Sequence, residues 1–108
     1  MVAQISVTEL AERLQQGLPV QLLDVRQPAE HDLARLPESQ LIPLNELPHR
    51  HDEITTTDGV PLVVYCHHGI RSLNAAYMLH QLGFATVFSL AGGIDAWSRL
   101  IDPSIPRY

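Results

Sequence analysis

The stretch Leu62-Val63-Val64-Tyr65-Cys66-His67-His68-Gly69-Ile70-Arg71-Ser72 decides how the rest of the chain is read. Leu62 to Tyr65 is its most continuous apolar run, as expected of a central strand buried on both faces of a parallel sheet. Gly59-Val60-Pro61 punctuates the chain before it. Beyond it, Leu73, Ala76, Tyr77, His80 and Leu82 recur at helical spacing until Gly83. Cys66 therefore stands where a strand gives way to a loop and a helix. In open α/β sheets that carboxyl end of the strands is where ligands bind.

Working outward, Ser6-Val7-Thr8-Glu9 has the spacing of a capping box, and Leu10, Leu14 and Leu18 follow at one-turn intervals, so a helix is expected up to Gly17 and Pro19. Val20 to Val25 reads as a buried strand with Asp24 near its carboxyl end. Pro28 opens a short helix through Asp32, Leu41-Ile42-Pro43-Leu44 is a brief extended piece, and Asn45 to His51 suits one or two polar helical turns. Downstream, Thr86 to Leu90 is a strand, Gly92-Gly93 a turn, and Ile94 to Leu100 a last helix carrying Trp97. Strands alternating with helices at this spacing predict an α/β fold with a small parallel sheet covered on both faces. With 108 residues and no repeat, low-complexity tract or linker, residues 1–108 are expected to form one domain.

Composition narrows the function. The charge of −5 has no acidic tail behind it and leaves little to steer nucleic acid. All seven basic residues are Arg, which excludes lysine chemistry. No apolar stretch suits a membrane span, and MVAQISVTEL lacks the basic region and apolar core of a signal peptide, so a cytoplasmic protein is expected. The single cysteine cannot form an intramolecular disulfide and fits a reducing compartment.

A lone cysteine at a strand end is usually inert packing. Here a glycine-containing loop, an arginine and a helix start follow it, a combination that packing does not require. Successive amides in a tight loop that opens a helix make an anion-binding concavity, and the helix dipole adds partial positive charge. Cys66 is expected to be largely thiolate, accessible and nucleophilic, with Arg71 supplying a fixed charge and a fork suited to oxyanions, and Gly69 letting the backbone turn. His67 and His68 supply either polar contacts to a bound anion or solvated loop surface. Asp24, Arg26 and Glu30 are read as a structural network, Asp24 capping the next turn and Arg26 pairing with Glu30 four residues on. His67 and His68, as neighbours, do not easily face one ion, and His49-Arg50-His51 lies in a charged surface segment, so no metal site is expected. Trp97, Tyr65, Phe84 and Phe88 are assigned to the core.

Four segments together carry a resemblance: Leu22-Leu23-Asp24-Val25-Arg26-Gln27-Pro28-Ala29-Glu30, Leu41 to Leu44, Cys66 to Ser72, and Leu90-Ala91-Gly92-Gly93-Ile94-Asp95-Ala96-Trp97. In this order they resemble the single-domain rhodanese-like sulfurtransferases over nearly the whole chain. The resemblance implies a sheet of about five strands and a catalytic Cys66 that takes sulfane sulfur from thiosulfate or a persulfide. The resulting persulfide passes sulfur to cyanide, a small thiol or a protein thiol, with no organic cofactor. It places His67, His68, Gly69, Ile70, Arg71 and Ser72 in the substrate loop. Four residues separate Cys66 from Arg71, whereas phosphatases and arsenate reductases of similar fold use a loop one residue longer, which disfavours phosphoryl chemistry. Ala34-Arg35-Leu36 and Glu38-Ser39 depart from the family pattern and put acceptor docking in question, and the loop lacks the extra cation of some thiosulfate-using members. The alternative is a rhodanese-like module that carries sulfur, senses redox state or binds protein without turnover. The segment Asp102 to Tyr108 is Pro-rich and expected to be extended, packed along the surface or open to a partner.

Overall fold

The computed structural model describes residues 2–108. Strands β1 (Gln4–Ile5), β2 (Gln21–Asp24), β3 (Gln40–Leu41), β4 (Leu62–Tyr65) and β5 (Val87–Leu90) form one sheet in the order β1-β5-β4-β2-β3, with every neighbouring pair parallel. The helices are α1 (Val7–Gln15), α2 (Pro28–Leu33), α3 (Leu47–Arg50), α4 (Ile70–Gln81) and α5 (Gly93–Leu100), and 3-10 turns flank α3. The expected α/β architecture, a small parallel sheet of five strands with helices, is present, with β4 at its centre.

Alternation along β4 decides where the site lies. Val63 and Tyr65 point into a core shared with Leu10, Ile94 and Trp97. Leu62 and Val64 point into a second core with Leu47, Ala75 and Leu79, and Cys66 continues that alternation one residue past the strand. The sulfur is thereby carried toward α4.

Helix phases differ from the simple reading. The Ser6–Glu9 capping box forms, with both bonds at 3.1 Å. The buried face of α1, however, is Val7, Leu10 and Ala11, while Leu14 and Leu18 are exposed. Leu14 lies on the same side of α1, about 20° from Val7 at 3.6 residues per turn, but in its last turn, and Leu18 lies past the helix end, so neither reaches the core. In α4 the buried face is Ser72, Ala75, Ala76 and Leu79, and Tyr77, His80 and Leu82 face outward. Small side chains let this helix lie close to the sheet, and the larger ones turn to solvent. Trp97 and Tyr65 are core residues as expected, whereas Phe84 and Phe88 are only half-buried at its margin.

Strand β1 was not legible in the sequence because two residues show no period. It is held by Ser89 N–H to Ala3 O and Ala91 N–H to Ile5 O, both 2.9 Å. The extended piece at Leu41–Leu44 is shorter than expected and turns into a 3-10 helix after Pro43, which has no N–H to continue a ladder. Residues 102–108 pack against the body: Ile105 is buried and its carbonyl accepts from the Ser98 hydroxyl. Among the described residues no helix is long and apolar enough to cross a membrane.

Candidate active site

The loop from Cys66 to Ser72 is shaped from both ends. Cys66 O accepts from Ile94 N at 2.9 Å and His67 O from Asp95 N at 3.1 Å, so the first turn of α5 holds two loop carbonyls outward. A Cβ at Gly93 would overlap both oxygens, which explains a glycine there. At the other end Gly69 adopts φ +108° as the N-cap of α4, a left-handed conformation that other residues rarely adopt. Gly69 N–H and Ser72 N–H then point at Cys66 Sγ, at 3.2 and 3.3 Å. Ile70 and Arg71, in the first turn of α4, have N–H groups with no intrahelical acceptor. Negative charge developing on the sulfur is met by converging donors.

The thiol also reaches Ser72 Oγ at 3.6 Å; Ser72 Oγ donates to Gly69 O at 3.1 Å and lies 2.7 Å from Ser89 Oγ. One expectation fails: Cys66 is only 1% exposed, not openly accessible. The same loop that supplies the donors wraps the sulfur and buries it. Ile70 lies at the rim, 73% exposed, and His68 is exposed beside it.

The charged residues pair differently from the expected scheme. Arg26 does not form a side-chain pair with Glu30. It grips Asp24 through Nε to Oδ1 at 2.9 Å and Nη2 to Oδ2 at 2.7 Å, and only its Nη1 touches the Glu30 carbonyl, at 3.3 Å. Asp24 Oδ1 also accepts from Arg26 N at 2.9 Å, the turn cap that was expected. Arg26 and Asp24 are fully buried. Burial by itself would lower the Arg26 pKa, but the bonds to Asp24 and Tyr108 raise it above its usual value.

Glu30 instead takes Arg71, with Nη1 to Oε1 at 2.8 Å and Nη2 to Oε2 at 3.0 Å. This fork draws the Glu30 pKa down from 4.5 to about 2, and raises that of Arg71. Spacing alone favoured the local partner; the fold brings α2 against the start of α4 and supplies a better one. Arg71 thus reaches the site with its charge already partnered.

His67 lies flat between two rings, 3.9 Å from His68 and 3.9 Å from Tyr108, the latter within 9° of parallel. Its Nε2 is buried without a hydrogen-bond partner, and burial followed by the charge of His68 lowers its pKa below the usual imidazole value. Donor atoms of His67, His68 and Asp95 do lie within 4.8 Å of one another, closer than the neighbour argument allowed. Yet the imidazoles stack face to face, so their in-plane lone pairs run side by side. The Asp95 oxygens accept from Arg99 and Arg107, each at 3.1 Å. Both Asp95 oxygens are thus already engaged by guanidinium groups.

Reading along the sequence did not find Ser89, Asp95 or Tyr108 at the site, nor the role of Gly93 in shaping the loop. The first two come from β5 and α5, and only the Leu90–Trp97 segment hinted at that region. Tyr108 carried no signal except its place in a Pro-rich segment.

Comparison with known proteins agrees with this geometry. The family model described as "Rhodanese-like domain" matches residues 6–100. A protein of Allochromatium vinosum named "Sulfurtransferase" is 38% identical, the match covering 92% of this chain and 91% of the relative. A "Rhodanese-like/PpiC domain-containing protein 12, chloroplastic" of Arabidopsis thaliana is 37% identical over 99% of this chain, which spans only 38% of that longer protein. The crystal structure of a rhodanese-like domain protein from Staphylococcus aureus superposes with a TM-score of 0.82 at 25% identity, covering 99% of each chain. Fold, loop and matched span converge, and the chain belongs to the rhodanese-like domain family.

Proposed function

We propose that the protein is a sulfurtransferase that moves sulfane sulfur from a donor to a thiophilic acceptor through a persulfide on Cys66. The observation that carries this reading is the pair of amide N–H groups, from Gly69 and Ser72, directed at the chain's one thiol at the head of α4. In the first half-reaction the Cys66 thiolate attacks the outer sulfur of the donor. A new S–S bond forms, and the donor's own bond to that sulfur breaks, its electron pair leaving with sulfite from thiosulfate or with a thiolate from a persulfide. An acceptor thiolate or cyanide then attacks the terminal sulfur, and the electron pair of the Cys66–sulfur bond returns to Cys66. His67, His68, Gly69, Ile70, Arg71 and Ser72 frame the transferred atom, and Asp24, Arg26 and Glu30 support the loop from behind.

Donor choice follows from charge. Arg71 is the loop's one arginine, and Glu30 already holds it with both oxygens. A dianion such as thiosulfate meets less net positive charge than the sequence suggested, so a persulfide is the better donor. Small thiols and protein thiols are the acceptors that this site suits, and the reducing conditions they need place the reaction in the cytoplasm or an equivalent compartment. Incubation with thiosulfate or a low-molecular-weight persulfide, followed by intact mass, tests the reading. A gain of one sulfur atom in wild type and none in Cys66→Ser supports it; no gain with either donor sinks it.

Burial of Cys66 at 1% exposure favours a second reading, a sulfur-carrying or sensing module without turnover. A persulfide that forms but is not discharged by any acceptor over many cycles would identify that module.

A further inference from the structure

Tyr108 meets the Cys66 loop directly at His67 and, through Glu30, indirectly at Arg71, and no step of the proposed chemistry uses it. Its ring lies on His67 at 3.9 Å, the residue that follows Cys66. Its hydroxyl accepts from Arg26 Nη1 at 2.7 Å and donates to Glu30 Oε2 at 2.8 Å, and Glu30 in turn holds Arg71 near the far end of the loop. Nor is Tyr108 a loosely attached side chain. The segment leading to it is anchored by buried Ile105 and by Arg107 Nε on Asp95 Oδ1 at 3.1 Å, and Asp95 N itself holds His67 O.

We propose that Tyr108 is a positioning residue for sulfur transfer, whose ring fixes His67 and whose hydroxyl, through Glu30, fixes Arg71, so that one side chain clamps the loop near both of its ends. The sulfur-transfer half of this inference rests on the function proposed above; the clamp does not. A loop that opens freely would expose the buried thiol and shorten the life of any persulfide between half-reactions. The two contacts also separate chemically. A phenylalanine keeps the stack and loses the hydroxyl, whereas a leucine loses both. When the hydroxyl is removed Arg26 keeps both bonds to Asp24 and those to the Glu30 and Ala34 carbonyls, so the fold is retained.

The test compares wild type, Tyr108→Phe and Tyr108→Leu, each confirmed folded by thermal unfolding. Alkylation of Cys66 by iodoacetamide reads the ring contact without any reference to sulfur transfer, and the chain has no other cysteine to confuse it. Tyr108→Leu is expected to alkylate about tenfold faster, the scale on which loss of an aromatic contact acts, with Tyr108→Phe returned to about the wild-type rate. The ratio of kcat/KM for thiosulfate over a persulfide reads the hydroxyl. It is expected to rise about threefold in Tyr108→Phe, as Glu30 loosens its hold on Arg71. Equal alkylation in wild type and Tyr108→Leu overturns the clamp, as does a fast Tyr108→Leu that phenylalanine does not rescue. An unchanged donor ratio in Tyr108→Phe overturns the link through Glu30. If wild type takes up no sulfur at all, the sulfur-transfer reading fails, and the alkylation comparison still decides whether Tyr108 holds the loop.

Discussion

Two arginine–carboxylate pairs are built around the loop, and their surroundings give them different work. Arg26 and Asp24 are sealed from solvent, with Arg26 also bonded to the Ala34 carbonyl and set against the Tyr65 ring. Arg71 and Glu30 form an equally regular fork at the mouth of the site, where both side chains remain partly exposed. A buried charge that loses its partner has no water to turn to, whereas a partly exposed one does. The inner pair is therefore a structural fixture. The outer pair can exchange partners at modest cost.

Breaking the inner pair should give the largest effect. Arg26→Leu leaves the buried Asp24 with only the residue-26 amide and His31 as partners and should cost about 3–5 kcal/mol, lowering the melting temperature by more than about 10 °C. Thermal unfolding checks this, and replacing both Arg26 and Asp24 by leucine should be less damaging than Arg26→Leu alone. At the outer pair the order of effects reverses. Arg71→Ala should stay within about 1 kcal/mol in stability yet lose about tenfold in sulfur transfer, measured as kcat/KM in a thiol-acceptor assay. Glu30→Gln keeps a hydrogen-bonding side chain but frees the arginine charge, and should raise thiosulfate kcat/KM about fivefold relative to a persulfide.

Acid titration sharpens the same contrast. Because Arg71 holds Glu30 at about 2 instead of 4.5, the stabilisation it provides is complete above 4.5 and disappears as pH falls through about 2. The stability difference between wild type and Glu30→Gln should thus be flat from neutral pH down to about 5 and close below it. Equilibrium unfolding at several pH values would show this, and a difference that closes near neutrality would contradict it. The smallest effect expected is that of salt. Raising ionic strength to about 0.5 M should reduce the Glu30→Gln difference in donor preference and leave the Arg26→Leu destabilisation nearly unchanged.

The contrast also marks how far the sequence can be read. Leu62 to Tyr65 announced the central strand because complete burial demands an unbroken apolar run, and the strand is in place. Ser6 and Glu9 announced a helix start because a cap is a local hydrogen-bond pattern. The spacing of Leu10 and Leu14 and of Ala76 and His80 announced two helices that are in place, but helical period alone does not say that Leu14, in the last turn of α1, and Tyr77, on the outer face of α4, are exposed. Arg26 and Glu30 misled for a related reason: spacing ranks only the partners that are near in sequence.

By itself the sequence determined the alternation of strands and helices, the placement of Cys66 at a strand end, and the loop of Gly69, Arg71 and Ser72 beyond it. All of these follow from short-range periodicity and from the backbone needs of a strand-to-helix turn. Only the tertiary structure decided that Glu30 holds Arg71, that α5 turns the loop carbonyls outward, that the thiol is enclosed, and that Tyr108 lies on His67. Contacts of this kind join segments as many as 82 residues apart, as between Arg26 and Tyr108, and no local pattern encodes a partner at that distance.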